Sequence, residues 1–347
     1  MKRHLLFLAA LLIVNLAASA QKKFSVYAVG FYNQENLFDT CHDEGKKDYE
    51  YLPNKGWNGM KYTNKLRNMS KALADMGTDV LPNVGCAFIG LAEVENHKVL
   101  DALVDQAPLK ARNMKYVHIE GSDRRGIDCA LLYNPSLFSV KNVKLLPYVQ
   151  ELAKDSAFFT RGFLTVRGEM AGDDVAVIVC HWPSRFSGPF YRESAARQVK
   201  VIKDSLLNVN QEMKIFVMGD MNDDPVNKSM HVYLQAKPEI SQVGAGDMYN
   251  PWYNVLAKEG KGTLFYSGNW NLFDQIVITP NLLNKDAKKK DYSSLKYWKS
   301  HIFRRDYLIQ QEGQYKGAPL RTTAGGRWLN GYSDHLPVVM YLVKEKK

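Results

Sequence analysis

The sequence predicts an α/β fold, and three observations carry that expectation. Short, wholly apolar runs rich in β-branched and aromatic residues recur along the chain. Between them lie amphipathic segments with a helical period. Most of the apolar runs end in an acid, amide or histidine side chain, as when strands of one packed core bring their functional groups to a common rim. The 347 residues, 46% of them apolar, suffice for one large α/β domain or two smaller ones. No repeat of fixed period and no low-complexity linker divides the chain, so one domain over 21–347 is the better reading.

The first twenty residues read as a secretory leader. Lys2 and Arg3 form a basic start, Leu5 to Ala17 is apolar apart from Asn15, and Ala18-Ser19-Ala20 is a small-residue cleavage site before Gln21. That segment is too short to serve as a mature membrane span. The expected mature chain starts near Gln21 and is exported to a periplasm or beyond. No later stretch holds 18 consecutive apolar residues, so no membrane insertion is expected.

From there the elements follow in order. Phe24–Tyr32 is a strand ending in Asn33-Gln34-Glu35-Asn36. A helix starts near Thr63, with Leu66, Met69, Leu73 and Met76 on one face, and Gly77 ends it. Ala87–Ala92 is a buried strand that runs into Glu93, and a second helix covers Lys98–Gln106. Asp128–Tyr133 is a strand, Ser139–Pro147 an edge strand, and Leu164–Glu169 and Val175–Cys180 pair through a Gly172-Asp173-Asp174 turn. His181 follows that pair. Arg192–Asn208 is helical, with Ala195, Val199, Ile202 and Leu206 on its apolar face. Asn271–Thr279 is a strand carrying Asp274. A basic and aromatic excursion, Lys285–Trp328, precedes Asp334-His335 and the last strand, Val338–Val343.

The most informative stretch is Lys214–Pro225, KIFVMGDMNDDP. Its apolar half reads as a buried strand that releases Asp220 and Asn222 from its end. Residues two apart on a strand share a face, so these two side chains point into one space. There they can orient a water, hold a hard cation or hydrogen-bond a phosphoryl oxygen. The plain alternative is an Asp/Asn-rich turn closed by Pro225. That alternative weakens because Asn33, Glu93, His181, Asp274, Asp334 and His335 fall at the ends of other strands. Oxygen donors of this kind suit Mg²⁺, Mn²⁺ or Ca²⁺ better than zinc, and two histidines beside carboxylates suit proton transfer. Phosphate-loop, G-x-S-x-G and H-E-x-x-H motifs are absent from the sequence.

The segments FYNQENLF, IGLAEVEN, RGIDCALLY, VCHWPSR, VMGDMNDDP, LFDQIVIT and YSDHLPV, in this order, resemble the endonuclease/exonuclease/phosphatase superfamily over nearly the whole chain from residue 21 on. GDMN and SDHLP are the most specific of them. The resemblance implies a four-layer α/β sandwich, two facing mixed sheets with helices outside, and divalent-metal hydrolysis of a phosphoester. It further implies metal ligation by Asn33 and Glu93 with Asp334 in or near the metal shell. His335 would be paired to Asp274, Asp220 and Asn222 would position the water and a phosphoryl oxygen, and His181 would sit on the phosphate. The general base is left open between Asp220 and His335. Arg161 and Arg185 are expected to clamp phosphate, although Arg185, just after Pro183, also reads as a surface residue. Asp128 either orients His181 or only opens its strand.

Charge bears on the substrate. Lys2 and Arg3 are the only charged residues of the leader, so 44 basic and 36 acidic residues remain beyond it. Lys285, Lys288, Lys289, Lys290, Lys296 and Lys299 are interleaved with Tyr292, Tyr297 and Trp298, a composition that can follow a phosphate backbone and stack on bases. The leading expectation is therefore a secreted, monomeric nuclease or phosphodiesterase acting on nucleic acid. A phosphatase on inositol polyphosphate or another small phosphoester is the rival on the same fold, and a non-catalytic polyanion-binding protein the rival of another class. The four cysteines lack metal-ligand spacing. A Cys41–Cys86 bridge is conceivable in an oxidising compartment, but free or structural thiols are the simpler expectation.

Overall fold

The computed structural model describes residues 23–151, 158–286 and 288–346; the segment expected to be a secretory leader, 1–20, lies outside the described residues. Along the chain come β1 (Phe24–Leu37), α1 (Gly59–Asp75), β2 (Cys86–Val94), α2 (His97–Val104), α3 (Ala107–Lys110), β3 (Lys115–His118) and β4 (Asp128–Tyr133). Next are β5 (Phe138–Leu146), β6 (Phe163–Met170), β7 (Asp173–His181), α4 (Pro189–Val209) and β8 (Lys214–Asp220). Short β9 (Ala236–Lys237) and β10 (Met248–Tyr249) precede α5 (Trp252–Ala257) and the hairpin β11 (Leu264–Tyr266) and β12 (Asn269–Asn271). The chain finishes with β13 (Asp274–Ile278), β14 (Lys296–Ile302), the small ribbon β15 (Thr323–Ala324) and β16 (Arg327–Trp328), and β17 (Val338–Glu345).

The strands form two large mixed sheets. Sheet one has the order β14-β17-β1-β2-β4-β3, and sheet two the order β5-β6-β7-β8-β13-β10-β9. The parallel pairs β1/β2 and β7/β8 need helical crossovers, which α1 and α4 supply. The edge strand expected around Ser139–Pro147 is β5, at the margin of sheet two.

Alternation along the strands decides how the layers pack. In β1, Val29 and Phe31 enter the core between the sheets, while Ala28 and Tyr32 face outward to the cluster that holds α1, α2 and α3. In β7, Val177 and Val179 join the inner core, while Ala176, Ile178 and Cys180 face the α4 side with Ala195 and Val199. A strand covered on both faces reads as a continuous apolar run, which is why VAVIVC and KIFVMG carry no visible period. The result is helices, sheet, sheet, helices: the four-layer sandwich.

Local signals account for the ends. Asn58 caps α1 by accepting from Lys61 N at 3.1 Å, so the helix starts four residues before Thr63. Ala171 and Gly172 adopt φ of 55° and 79°, the paired left-handed geometry that a tight β6–β7 hairpin requires. All four cysteines are free thiols, with Cys86, Cys129 and Cys180 buried and Cys41 exposed. No described helix is long and apolar enough to cross a membrane.

Candidate active site

The inner-face alternation of sheet two continues past its apolar residues onto polar ones. After Val177 and Val179 comes His181, after Phe216 and Met218 comes Asp220, and before Ile276 comes Asp274. His181 is paired with Asp220 across the parallel ladder, and Asp274 with Asp220 across the antiparallel one. The three side chains therefore stand in one row at the rim of the sheet. Gly219 keeps β7 and β8 close there, since a side chain on it would strike the Cys180 carbonyl.

Sheet one supplies the facing half. Asn33 follows Val29 and Phe31 on the inner face of β1 and is fully buried. Its Nδ2 donates to Asp220 Oδ2 at 3.0 Å, which joins the two sheets, and its Oδ1 accepts from Glu35 N at 2.9 Å. Strict alternation would turn Glu93 outward with Ile89 and Leu91. Pairing of β2 with β4 instead shifts between Ala92 and Val94, and Glu93 takes φ 61°, a left-handed backbone that non-glycine residues rarely adopt. This irregularity aims its carboxylate at the rim. Oε2 accepts from Asn36 N at 2.9 Å, and Oε1 lies 3.7 Å from His181 Nε2.

The loop before β17 brings the last pair. Ser333 Oγ donates to the Asn33 carbonyl at 2.8 Å, and His335 N donates to Ser333 Oγ at 3.1 Å. His335 Nδ1 is 2.7 Å from Asp274 Oδ2, and its Nε2 is 3.8 Å from Asp220 Oδ2 and 3.9 Å from Asp334 Oδ1. Two groups of possible ligand atoms result, Glu93/His181/Asp220 and Asp220/Asp274/His335, each within 4.8 Å.

Environment splits the two imidazoles. Burial, with Arg161 and Arg125 nearby, pushes the His181 ring well below the usual histidine range. Burial works the same way on His335, but Asp274, Asp220 and Asp334 overcome it and hold that ring well above the range. Burial, with Asp274 and Glu93 adding like charge, pushes the Asp220 carboxyl up to about 6 against the pull of His335 and of the Asn222 amide.

The other expected residues take distinct places. Asn222, at φ 48°, donates from Nδ2 to the Trp182 carbonyl at 2.9 Å, and its amide N donates to Asp220 Oδ1 at 2.8 Å. Arg161 is buried between Asp123 Oδ2 (3.1 Å) and the Trp182 carbonyl (2.9 Å) and lines the cleft. Arg185 is not among the cleft-lining residues. It ties together the Asn222 carbonyl, Asp224, Asn227 and Asn271 and stacks over Phe273, so it braces the loop after β8. Asp128 holds His118 at 3.1 Å and Gly121 N at 3.0 Å. The cleft above the rim encloses about 280 Å³, and its lining includes Arg125, Phe158, Phe159 and Phe273.

Sequence reasoning missed a second set of residues behind Asp334. Arg321 donates from Nη2 to Asp334 Oδ2 at 3.0 Å and from Nε to Glu35 Oε1 at 3.1 Å. Glu35 Oε2 accepts from Thr322 N at 2.6 Å, and burial with Asp334 nearby pushes that carboxyl up to about 7. Lys65, wholly buried, donates to Thr322 Oγ1 and to the Tyr332 carbonyl, and burial pushes it down to about 8. The position of Glu35, two residues beyond Asn33, was a usable signal.

The donor chemistry fits a hard divalent cation. Among the described residues no hydrogen bond is donated to Glu93 Oε1, ligand atoms of His181 and Asp220 lie within 4.8 Å of the Glu93 carboxylate, and no cysteine borders the cleft.

Comparison with known proteins agrees with this architecture. The profile of the Endonuclease/Exonuclease/phosphatase family matches residues 28–344. No curated protein matches the chain. Among solved structures, an endonuclease/exonuclease/phosphatase family protein from Bacteroides thetaiotaomicron is 14% identical with a TM-score of 0.54, covering 93% of this chain and 97% of its own. A mannosyl-6-phosphatase from the same species is 13% identical with a TM-score of 0.54, covering 91% and 99%. D. rerio TDP2 complexed with single strand DNA product is 12% identical with a TM-score of 0.53, covering 92% and 99%. At these identities the likeness is one of fold.

Proposed function

Because the chain belongs to the endonuclease/exonuclease/phosphatase family, whose members hydrolyse phosphoesters, we propose that the rim shared by the two sheets is a divalent-metal phosphoester hydrolase site, with Mg²⁺ the first candidate ion. The observation that carries this reading is the convergence of Glu93, His181, Asp220, Asp274 and His335, from five separate strands and loops, on one space. Asn33 and Glu93 would hold the cation, with Asp334 beside them. A divalent cation bound there would offset charge developing on the phosphoryl oxygens.

The residues of the chain do the rest. Asp274 fixes the tautomer of His335, so its Nε2–H is available to a phosphoryl oxygen beside Asp220. Asp220, held by Asn33 and the Asn222 amide, accepts the proton of the attacking water. Water oxygen bonds to phosphorus, the ester P–O bond breaks, and the departing alkoxide takes a proton from His335 or solvent. His181, kept neutral, hydrogen-bonds the phosphoryl group, while Arg161 supplies fixed positive charge at the cleft wall.

Geometry favours a small phosphoester over a long nucleic acid. Leu295 N donates to Asp173 Oδ2, and Lys296 is paired with Val343, at the end of the sandwich opposite His181. The β7 strand between Asp173 and His181 is roughly 25 Å long. Lys285 is likewise tied to the Val243 carbonyl and Lys296 to that of Asn281. The lysine segment that suggested nucleic acid therefore offers no track into the cleft. A second reading, a terminal phosphoester of single-stranded nucleic acid, is favoured by Phe158, Phe159 and Phe273 at the cleft. The apolar leader of the sequence supports action outside the cytoplasm.

The test incubates the protein from Gln21 onward with Mg²⁺, Mn²⁺ or Ca²⁺, and with EDTA, on p-nitrophenyl phosphate, glycerol 2-phosphate, plasmid DNA and a 5′-phosphorylated oligonucleotide. Metal-dependent release from the small esters with intact plasmid is expected. Plasmid nicking without small-ester turnover would reverse the substrate assignment, and no turnover of any ester would defeat the hydrolase reading.

A further inference from the structure

The catalytic rim borders two cavities. Asp334, next to His335, lines a second and larger groove of about 910 Å³, within the range of small-molecule sites. The partition is the β11–β12 hairpin, which is anchored to the site itself: Leu264 is bridged to His335, and Leu336 N donates to the Thr263 carbonyl at 2.8 Å. Leu264 lines the first cleft and its neighbour Phe265 the groove, as successive residues of a strand face opposite sides. A phosphoryl group at the rim thus has space for its alcohol portion on the Asp334 side.

We infer that this groove binds the alcohol portion of the substrate and that this portion is an uncharged polyhydroxylated ring, such as a sugar. The inference rests on the hydrolase reading of the rim. Two tyrosines from separate segments, Tyr266 on the hairpin and Tyr315 on the Ile309–Pro319 loop, line the groove at 70% and 52% exposure. Neither ring stacks on another side chain, and neither hydroxyl has a partner among the described residues. The side-chain amide of Gln314, likewise without a hydrogen-bond partner among the described residues, lines the same groove. Flat, exposed rings with a polar tip suit the C–H face of a sugar, and free amide and hydroxyl groups suit its hydroxyls.

Charge separates this class from the alternatives. Among the described residues Arg321 is the single basic side chain lining the groove, and its Nε and Nη2 already face the carboxylates of Glu35 and Asp334. A nucleic acid strand or a polyphosphorylated ring would bring additional phosphates here and find, among the described lining residues, only a guanidinium already paired with two carboxylates. A neutral alcohol loses nothing in the same place.

The test uses the chain carrying His335→Ala, which suppresses turnover, titrated by calorimetry in the presence of Mg²⁺ with glucose 6-phosphate, mannose 6-phosphate, glycerol 2-phosphate and 5′-phosphorylated oligothymidylate. At least one hexose phosphate is expected to bind roughly tenfold tighter than glycerol 2-phosphate, the scale of one good aromatic contact. Adding Tyr266→Ala or Tyr315→Ala should remove that advantage. Equal binding of hexose and glycerol phosphates, an advantage that survives both substitutions, or an equal gain for the oligonucleotide would each overturn the inference. The two readings fail separately. Wild-type turnover of glycerol 2-phosphate with no hexose preference keeps the hydrolase and discards the groove assignment. Tyrosine-dependent hexose phosphate binding without turnover of any ester does the reverse.

Discussion

His335 Nδ1 lies 2.7 Å from Asp274 Oδ2, with both side chains buried, and this contact orients the imidazole that faces Asp220. Asp274 is the first residue of β13 and His335 stands two residues before the proline that leads into β17, so the pair also joins the two sheets at the rim.

Replacing Asp274 by Asn keeps the volume but offers the ring the wrong partner. Comparable aspartate–histidine pairs lose ~10⁴ in kcat on this change. A loss of at least ~10² is expected here, read from steady-state kinetics with a preserved circular dichroism spectrum. Activity within a few fold of wild type would remove His335 from the mechanism.

Glu93, the proposed metal ligand, sits in a strained backbone at φ 61°. The left-handed conformation costs an L-residue about 1–2 kcal/mol, which glycine avoids. Glu93→Gly should therefore be more stable than Glu93→Ala by about 1 kcal/mol in denaturant melts, although both lack metal-stimulated turnover. Equal stabilities would mean the left-handed geometry is absent in solution.

Much of this site was legible in the sequence, for a definite reason. Asn33, His181 and Asp220 are each the next inner-face residue after an apolar run, and Asp274 the inner-face residue just before one, so their convergence follows from alternation plus the two-sheet packing. Glu93 was legible from its motif but not from alternation, because a bulge reverses the face it occupies. Arg185 looked like a phosphate clamp by sequence position, yet the Asp224, Asn227 and Asn271 side chains engage it as a brace. Glu35, Lys65 and Arg321 were illegible as a set. They are brought together only by packing of α1 and the pre-β17 loop on β1, over sequence separations of some two hundred residues and more. The place of the lysine segment was illegible for a similar reason, since composition does not say at which end of a strand a loop emerges.

That last point is directly testable. Lys288, Lys289 and Lys290 are exposed in the loop before β14, at the end of the sandwich away from the rim. Changing all three to Glu should leave turnover of small phosphoesters within about twofold, because at that distance surface charges are largely screened at physiological salt. A tenfold change in kcat/KM at such salt would place that loop in substrate recognition.

Asp75, at the C-terminal end of α1, anchors the chain after β14. It accepts from Thr78 Oγ1 and Tyr307 Oη at 2.6 Å each and from Arg305 Nε at 3.2 Å. Burial raises its carboxyl, but these hydrogen bonds outweigh burial and hold it below the ordinary range. A depressed carboxylate contributes stability that is full above its unfolded value of about 4 and lost as pH falls through the lower folded value. Asp75→Asn should lower Tm by a few degrees at pH 7, with the gap to wild type closing on acidification below about pH 4. A gap that is constant with pH would contradict the ionised pairing.

On the reading proposed above, the shared rim hydrolyses phosphoesters with a divalent metal and Asp220 stands at its centre. The most direct measurement compares Mg²⁺-stimulated turnover and Tm of the wild type and Asp220→Asn. Asp220 is buried and its carboxyl is raised by that burial, so the neutral amide should leave Tm unchanged or higher while kcat falls ~10³-fold, within the range that a positioned base or a charge-stabilising group supplies. Wild-type turnover abolished by EDTA, together with that split between rate and stability, is the predicted result. A variant that turns over as fast as wild type, or a wild type indifferent to EDTA, would contradict it.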